Sequence, residues 1–152
     1  MKDVSAKSPT LRTAIAEAFL TMPDAIQTML RERQLEKGDA LEIARVAGAL
    51  AAKKTWDLIP FCHPLPLTHV AISYAFEAAG VRVQALVKTH AVTGVEMEAL
   101  TAVSISALTL YDMLKPHTHA MEIAYTRLLS KTGGKSGDYR YQPETAADTE
   151  RR

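Results

Sequence analysis

Leu11-Arg12-Thr13-Ala14-Ile15-Ala16-Glu17-Ala18-Phe19-Leu20-Thr21-Met22 carries two patterns at once. Leu11, Ile15, Ala18, Phe19 and Met22 recur at helical spacing. Ala14, Ala16, Ala18, Leu20 and Met22 alternate as in a strand. The local pattern leaves both readings open, and the surrounding elements decide between them.

Pro23 and Asp24 open a helix, since proline suits a first helical turn, and this helix runs to about Gln34. Asp39 and Glu42 form a capping box for a second helix reaching about Thr55, with Ile43, Val46, Ala47 and Leu50 as its apolar stripe. Pro60, Pro64 and Pro66 bar regular helix from Trp56–Pro66. Leu67–Phe76 and Val81–Val87 alternate as strands, joined by an Ala78-Ala79-Gly80 turn. A long helix runs from about Gly94 to Leu114 and stops before Pro116. A last strand covers about Met121–Leu129. With Leu11–Met22 as a strand, the order is strand, helices, strand, strand, helix, strand. That is the split βαβ order of a ferredoxin-like sandwich, so the expected class is α+β, an antiparallel sheet with helices on one face. With Leu11–Met22 as a helix, three strands would leave a sheet edge unexplained.

The chain has 152 residues, 47% apolar and 23% charged, which suits one globular domain. That domain is expected over residues 1–138, followed by a polar, disordered tail over 139–152. A formal net charge of +1 argues against a protein whose main business is coating nucleic acid or an anionic membrane, though not against a local anion site. Cys62 is the only cysteine, so no intramolecular disulfide forms. The opening residues show no apolar signal stretch, and the apolar runs break well short of the roughly 18 residues of a membrane span. A cytoplasmic protein is expected.

Four stretches carry chemistry. Pro60-Phe61-Cys62-His63-Pro64 boxes a thiol and an imidazole in a rigid loop, which reads either as a site or as a buried thiol beside a capping imidazole. Glu96 and Glu98 fall in the first turn of the long helix, where carboxylates favour the dipole. Residues two apart do not share a helix face, so at most one is expected in a given pocket. Asp112 and Lys115, three apart at the other end, share a face. They are a surface ion pair, or a proton-transfer pair if burial brings the lysine down to where it exchanges protons. Lys131-Thr132-Gly133-Gly134-Lys135-Ser136-Gly137-Asp138 suits a phosphate, or is a flexible basic segment, and its glycine spacing is not that of a Walker A loop. Lys37 adds a cation beside a helix start. No metal-ligand spacing is present.

Several runs in this order resemble one family. They are Asp3-Val4-Ser5-Ala6-Lys7, Lys37-Gly38-Asp39, Ala44-Arg45-Val46-Ala47-Gly48, Lys54-Thr55-Trp56-Asp57-Leu58-Ile59-Pro60 with Cys62-His63-Pro64-Leu65, Thr93-Gly94-Val95-Glu96-Met97-Glu98-Ala99-Leu100-Thr101-Ala102, Ala107-Leu108-Thr109 with Tyr111-Asp112-Met113, and Gly133-Gly134-Lys135-Ser136-Gly137-Asp138. From Asp3 to Asp138 the chain resembles cyclic pyranopterin monophosphate synthase, the molybdenum cofactor biosynthesis protein C family. The resemblance implies a ferredoxin-like fold and a homo-oligomer, a hexamer built as a trimer of dimers with sites at dimer interfaces. It implies a small-molecule substrate, the 3′,8-cyclised dihydro-GTP, converted to cyclic pyranopterin monophosphate with release of pyrophosphate. By motif position, Asp112 is the acid/base and Lys115 its partner, with Lys37 and Lys131 completing the catalytic set. Phe61, Cys62, His63, Glu96, Met97 and Glu98 bind substrate. No cofactor is required, and Mg2+ is expected at most as a companion of the pyrophosphate group. No nucleic acid, membrane or resident metal is expected.

Thr89-His90-Ala91-Val92 and Pro116-His117-Thr118-His119 depart from the family pattern without touching a carried-over residue. Two rivals remain at this level. One is a non-catalytic nucleotide-binding or regulatory ferredoxin-like domain, because the frame hosts many functions. The other is a Cys62 hydrolase using His63, which is geometrically poor because adjacent side chains rarely point at one another.

Overall fold

The computed structural model describes residues 1–33 and 35–143. In chain order the elements are β1 (Thr10–Thr21), α1 (Asp24–Arg31), α2 (Ala40–Lys53), α3 (Thr55–Leu58), β2 (Leu67–Glu77), β3 (Gly80–Ala91), α4 (Glu96–Leu114), β4 (Glu122–Thr132) and β5 (Tyr139–Arg140). The sheet order is β2-β3-β1-β4-β5, and every pair is antiparallel. This is the ferredoxin-like α+β fold expected from the element order.

Leu11–Met22 is a strand, and alternation is the pattern that matters. Ala14, Ala16, Ala18 and Leu20 are fully buried in the core, while Leu11 is exposed. They face the helix layer with Val81, Val83, Ala85 and Val87 of β3 and meet Ala99, Ala102, Val103 and Ala107 of α4. Alanines on both surfaces let the long helix lie close to the sheet. Gly48 does the same between helices: a Cβ there would come within 2.7 Å of the Ala102 carbonyl oxygen of α4.

Several local expectations change. Asp39 caps α2 by accepting from the Glu42 amide at 3.3 Å, but the Glu42 carboxylate turns to Arg45 instead of completing the box. The stripe of α2 is inverted. Ile43, Val46 and Leu50 are exposed, and the buried face is Ala40, Ala44, Gly48, Ala51 and Ala52, because α2 meets α4 at small-residue distance. One helical turn, α3, fits between Lys54 and the first proline. β4 runs on to Thr132, so Lys131 sits in a strand.

α4 has the length and apolarity of a membrane span, contrary to the sequence reading of short apolar runs, but half of it is buried as the core helix. Tyr139–Arg140, read as the start of the tail, pairs with Ser130 and Lys131. Beyond it Tyr141 donates from its amide to Leu129 O at 2.7 Å. Its hydroxyl accepts from Arg127 at 3.1 Å, and Arg127 pairs with the buried Glu17 at 2.6 Å on the helix-free sheet face. The rest of the expected tail, 144–152, lies outside the described residues.

Candidate active site

The first half of the site lies where α4 begins. Two loops converge there: Pro60–Pro66 leading into β2, and Val92–Val95 leading out of β3. They enclose a cavity of about 380 Å³ lined by Phe61, Cys62, His63, Leu65, Thr93, Gly94, Glu96, Met97 and Glu98, with Lys2 from the N-terminal segment. Phe61 and Met97 present apolar surface at its mouth. All six residues expected to bind substrate are therefore together.

Both acids enter this one cavity, which corrects the expectation that only one would. Glu96 is the first helical residue, and its carboxylate folds back over Gly94, where a Cβ would overlap it. Helical side chains lean toward the N-terminus, so at the first position a long one reaches past the helix end. Glu98 is only 4% exposed. Lys131 reaches across from β4 to pair with Glu96 at 2.9 Å.

Beside this cavity is a basic one of about 410 Å³, lined by Ala6, Lys7, Ser8, Thr10, Arg12, Gly134, Lys135 and Ser136. Gly133, Gly134 and Gly137 hold positive φ of 91°, 88° and 73°, which glycine adopts without strain. A Cβ on Gly134 would overlap the Arg12 guanidinium. Arg12 donates to Gly133 O at 3.3 Å and Val92 O at 3.4 Å, both long, and its buried Nε has no partner. Its donors are poorly used, and an anion would satisfy them. Arg12 and Lys7 were missed as site residues. Lys7 stood in a recognised run without a role, and Arg12 lay in a stretch read only for its apolar period.

Asp112, Lys115 and Lys37 are not in this group. Asp112 and Lys115 pair at 2.7 Å at the far end of α4, with side chains 58% and 50% exposed. They line an open depression with Ile105, Leu108, Thr109 and Tyr111. Lys37 is close enough to help hold the Asp112 carboxyl low, although Lys115 does most of this. Glu98 and Asp112 are 14 residues apart, so at 1.5 Å per residue about 21 Å of helix separates them.

A model of the MoaC family matches residues 1–134. The chain belongs to the MoaC family. It is 55% identical over 139 residues to the cyclic pyranopterin monophosphate synthase of Deinococcus radiodurans, covering 91% of this chain and 83% of that protein. It is 54% identical over 140 residues to the synthase of Brevibacillus brevis, covering 91% and 88%. It is 54% identical over 142 residues to that of Corynebacterium glutamicum strain R, covering 93% and 91%.

The two ends of α4 differ in electrostatics. Burial pushes the Glu98 carboxyl up to about 7, and the neighbouring Glu96 adds to the rise. Glu98 is thus poised between neutral and charged near physiological pH. Burial, with Glu98 nearby, raises the Cys62 thiol, which disfavours a thiolate nucleophile. At the far end the pair reinforces its charges: Lys115 lowers Asp112, and Asp112 raises Lys115. Lys115 is not the buried, lowered lysine that a proton-transfer pair would need in a single chain. Among the described residues no group of three or more His, Cys, Asp or Glu is placed to hold a metal ion.

Proposed function

We propose that this MoaC-family protein converts 3′,8-cyclised dihydro-GTP to cyclic pyranopterin monophosphate, releasing pyrophosphate, in molybdenum cofactor biosynthesis. The observation that carries the reading is a ring-sized cavity with carboxylates next to a basic, glycine-lined one. Val92, whose carbonyl accepts from Arg12, directly precedes the Thr93 and Gly94 of the ring cavity. Lys131, paired with Glu96, lies two residues before Gly133 of the basic loop. A nucleotide-derived ring in the first, with its phosphates on Arg12, Lys7 and Lys135 in the second, satisfies both.

In this reading Glu98, His63 and Glu96 handle protons as the purine-derived ring opens and recloses. A ribose-derived hydroxyl attacks the α-phosphorus, and its proton passes to a carboxylate. The bond from the α-phosphorus to its bridging oxygen breaks, and pyrophosphate leaves among cations that neutralise its charge. A Mg2+ ion, where used, travels with the phosphates.

The separation along α4 supports a site shared between copies. A substrate of this size cannot span about 21 Å and touch both ends of one helix. In a two-fold pair, one copy's Asp112, Lys115 and Lys37 meet the other's Glu98 cavity, and the reverse contact makes a second site. Closure over the open Asp112–Lys115 depression would bury that pair and turn it to catalysis. Exposed Ile43, Val46, Leu50, Trp56, Leu58 and Leu108 leave apolar surface for further contacts, in keeping with a hexamer of three dimers in the cytoplasm.

The test is incubation with the cyclised substrate, following pyrophosphate and the cyclic pterin together, with sedimentation in parallel. Stoichiometric formation of both by an oligomer is expected. A stable monomer that binds the substrate and releases nothing would point to the non-catalytic binding domain.

A further inference from the structure

His63 is engaged in this structure, and its partner is the chain's own N-terminal segment. Its Nε2 lies 2.9 Å from the backbone carbonyl oxygen of Lys2. A carbonyl only accepts, so Nε2 is the donor and carries a proton. The contact falls in the ring cavity, which Lys2 lines together with Cys62 and Glu98.

The segment that delivers this carbonyl is lightly held. Its other hydrogen bonds among the described residues are internal: Ser5 to Asp3 Oδ1 at 2.9 Å from the amide and 2.7 Å from the hydroxyl, and the Lys7 amide to Val4 O at 3.0 Å. Apart from half-buried Val4 and Lys7, residues 1–8 are exposed, so little apolar burial pins them down. The segment is a small prefolded unit, tied at one end to His63. At the other end Lys7 and Ser8 line the basic cavity, just ahead of β1.

We propose that residues Met1–Ala6 are a displaceable strap, hinged at Lys7 and Ser8, which stay at the basic cavity: the Lys2 carbonyl holds the His63 donor while the site is empty, and the substrate takes that donor with an acceptor oxygen of its own ring, turning the strap out. This rests on the reading of the cavity as the ring subsite. The exchange trades one hydrogen bond for another, so it costs little, and it keeps His63 in the donor form before substrate arrives. It also makes the strap a competitor of the ligand.

Deleting Lys2 and Asp3 removes the carbonyl, whereas Lys2→Ala keeps it and removes only the charge. GTP serves as the binding probe, measured by calorimetry on the full assembly. The deletion is expected to tighten GTP binding by about 2- to 10-fold, the equilibrium value of one net hydrogen bond. Lys2→Ala should give no gain, and the deletion in a His63→Ala background should give none either. The His63 imidazole N–H, followed by proton–nitrogen NMR without ligand, should exchange faster with water once the residues are deleted. Unchanged or weaker GTP binding by the deletion protein, a gain that survives His63→Ala, or an unaltered imidazole N–H would each overturn the strap. Pyrophosphate release from the cyclised substrate is measured separately. A deletion protein that turns over normally without tighter binding refutes the strap alone, and loss of turnover in the parent refutes the catalytic reading.

Discussion

The two ends of α4 place charged residues in opposite settings. At the Glu96 end one carboxyl is buried and pushed up, and the other is neutralised by Lys131. At the Asp112 end an ion pair stands in water, each partner holding the other charged. The first end stores electrostatic strain in a single chain, whereas the second stores none until something covers it. If the site is built from both ends, as proposed, one half is formed by folding and the other is finished by assembly.

The sharpest way to break this comparison is to disable each end separately. Lys115→Ala and Glu98→Ala should each lower turnover by about 10²–10⁴, the usual range for proton-transfer groups. If the halves come from different copies, co-expressing the two inactive chains should restore about a quarter of the parent rate, because half the two-fold pairs are mixed and each has one intact site. No recovery in a mixed assembly, seen by single-turnover formation of the cyclic pterin, would place both ends in one chain.

Arg12→Ala tests the phosphate side of the built end. Losing a charge-assisted contact should raise KM by about 10- to 100-fold. Steady-state kinetics with the cyclised substrate would show this, and an unchanged KM would move the phosphates elsewhere.

Stability against pH separates the ends next. The folded pKa of Glu98, about 7, lies above the unfolded value of about 4.5. Between these values the native state binds more protons than the unfolded one, so stability falls as pH rises and levels off above about 7. Glu98→Gln removes that penalty, which is on the order of 3 kcal/mol for a shift of this size. Its melting temperature should rise relative to the parent from pH 4.5 to 7.5, with little difference at pH 4. A constant offset would mean that Glu98 is charged in the fold.

The smallest expected effect is at the exposed end. Asp112→Asn and Lys115→Ala should shift the melting temperature of a dilute, dissociated sample by no more than about 2 °C, since solvated pairs add little. A large shift there would show that the pair already holds the chain together.

Much of this was legible in residues alone. The capping Asp39, the prolines around Cys62 and the stop at Pro116 are local signals with local consequences, and each is where the motifs suggested. The stripe of α2 was misread because period identifies a face without saying what it meets. Gly48 and the alanines around it make the smaller face the one that packs on α4. The double entry of Glu96 and Glu98 was missed because the two-apart rule holds inside a helix and fails at its first residue. Arg12 was invisible beside a stronger apolar pattern.

From the sequence by itself came the element order, hence the ferredoxin-like topology, and the residue types of the chemistry. Both follow from short-range spacing that any chain with these motifs shares. Only the tertiary structure decided that Arg12, Lys7 and the Gly133–Gly134 turn make one basic cavity, that burial pushes the Glu98 carboxyl up, and that His63 is held by Lys2. Each depends on which distant segments the sheet brings together and on how much water is left between them. A linear pattern carries neither quantity, and the length of α4 shows what one folded chain still leaves apart.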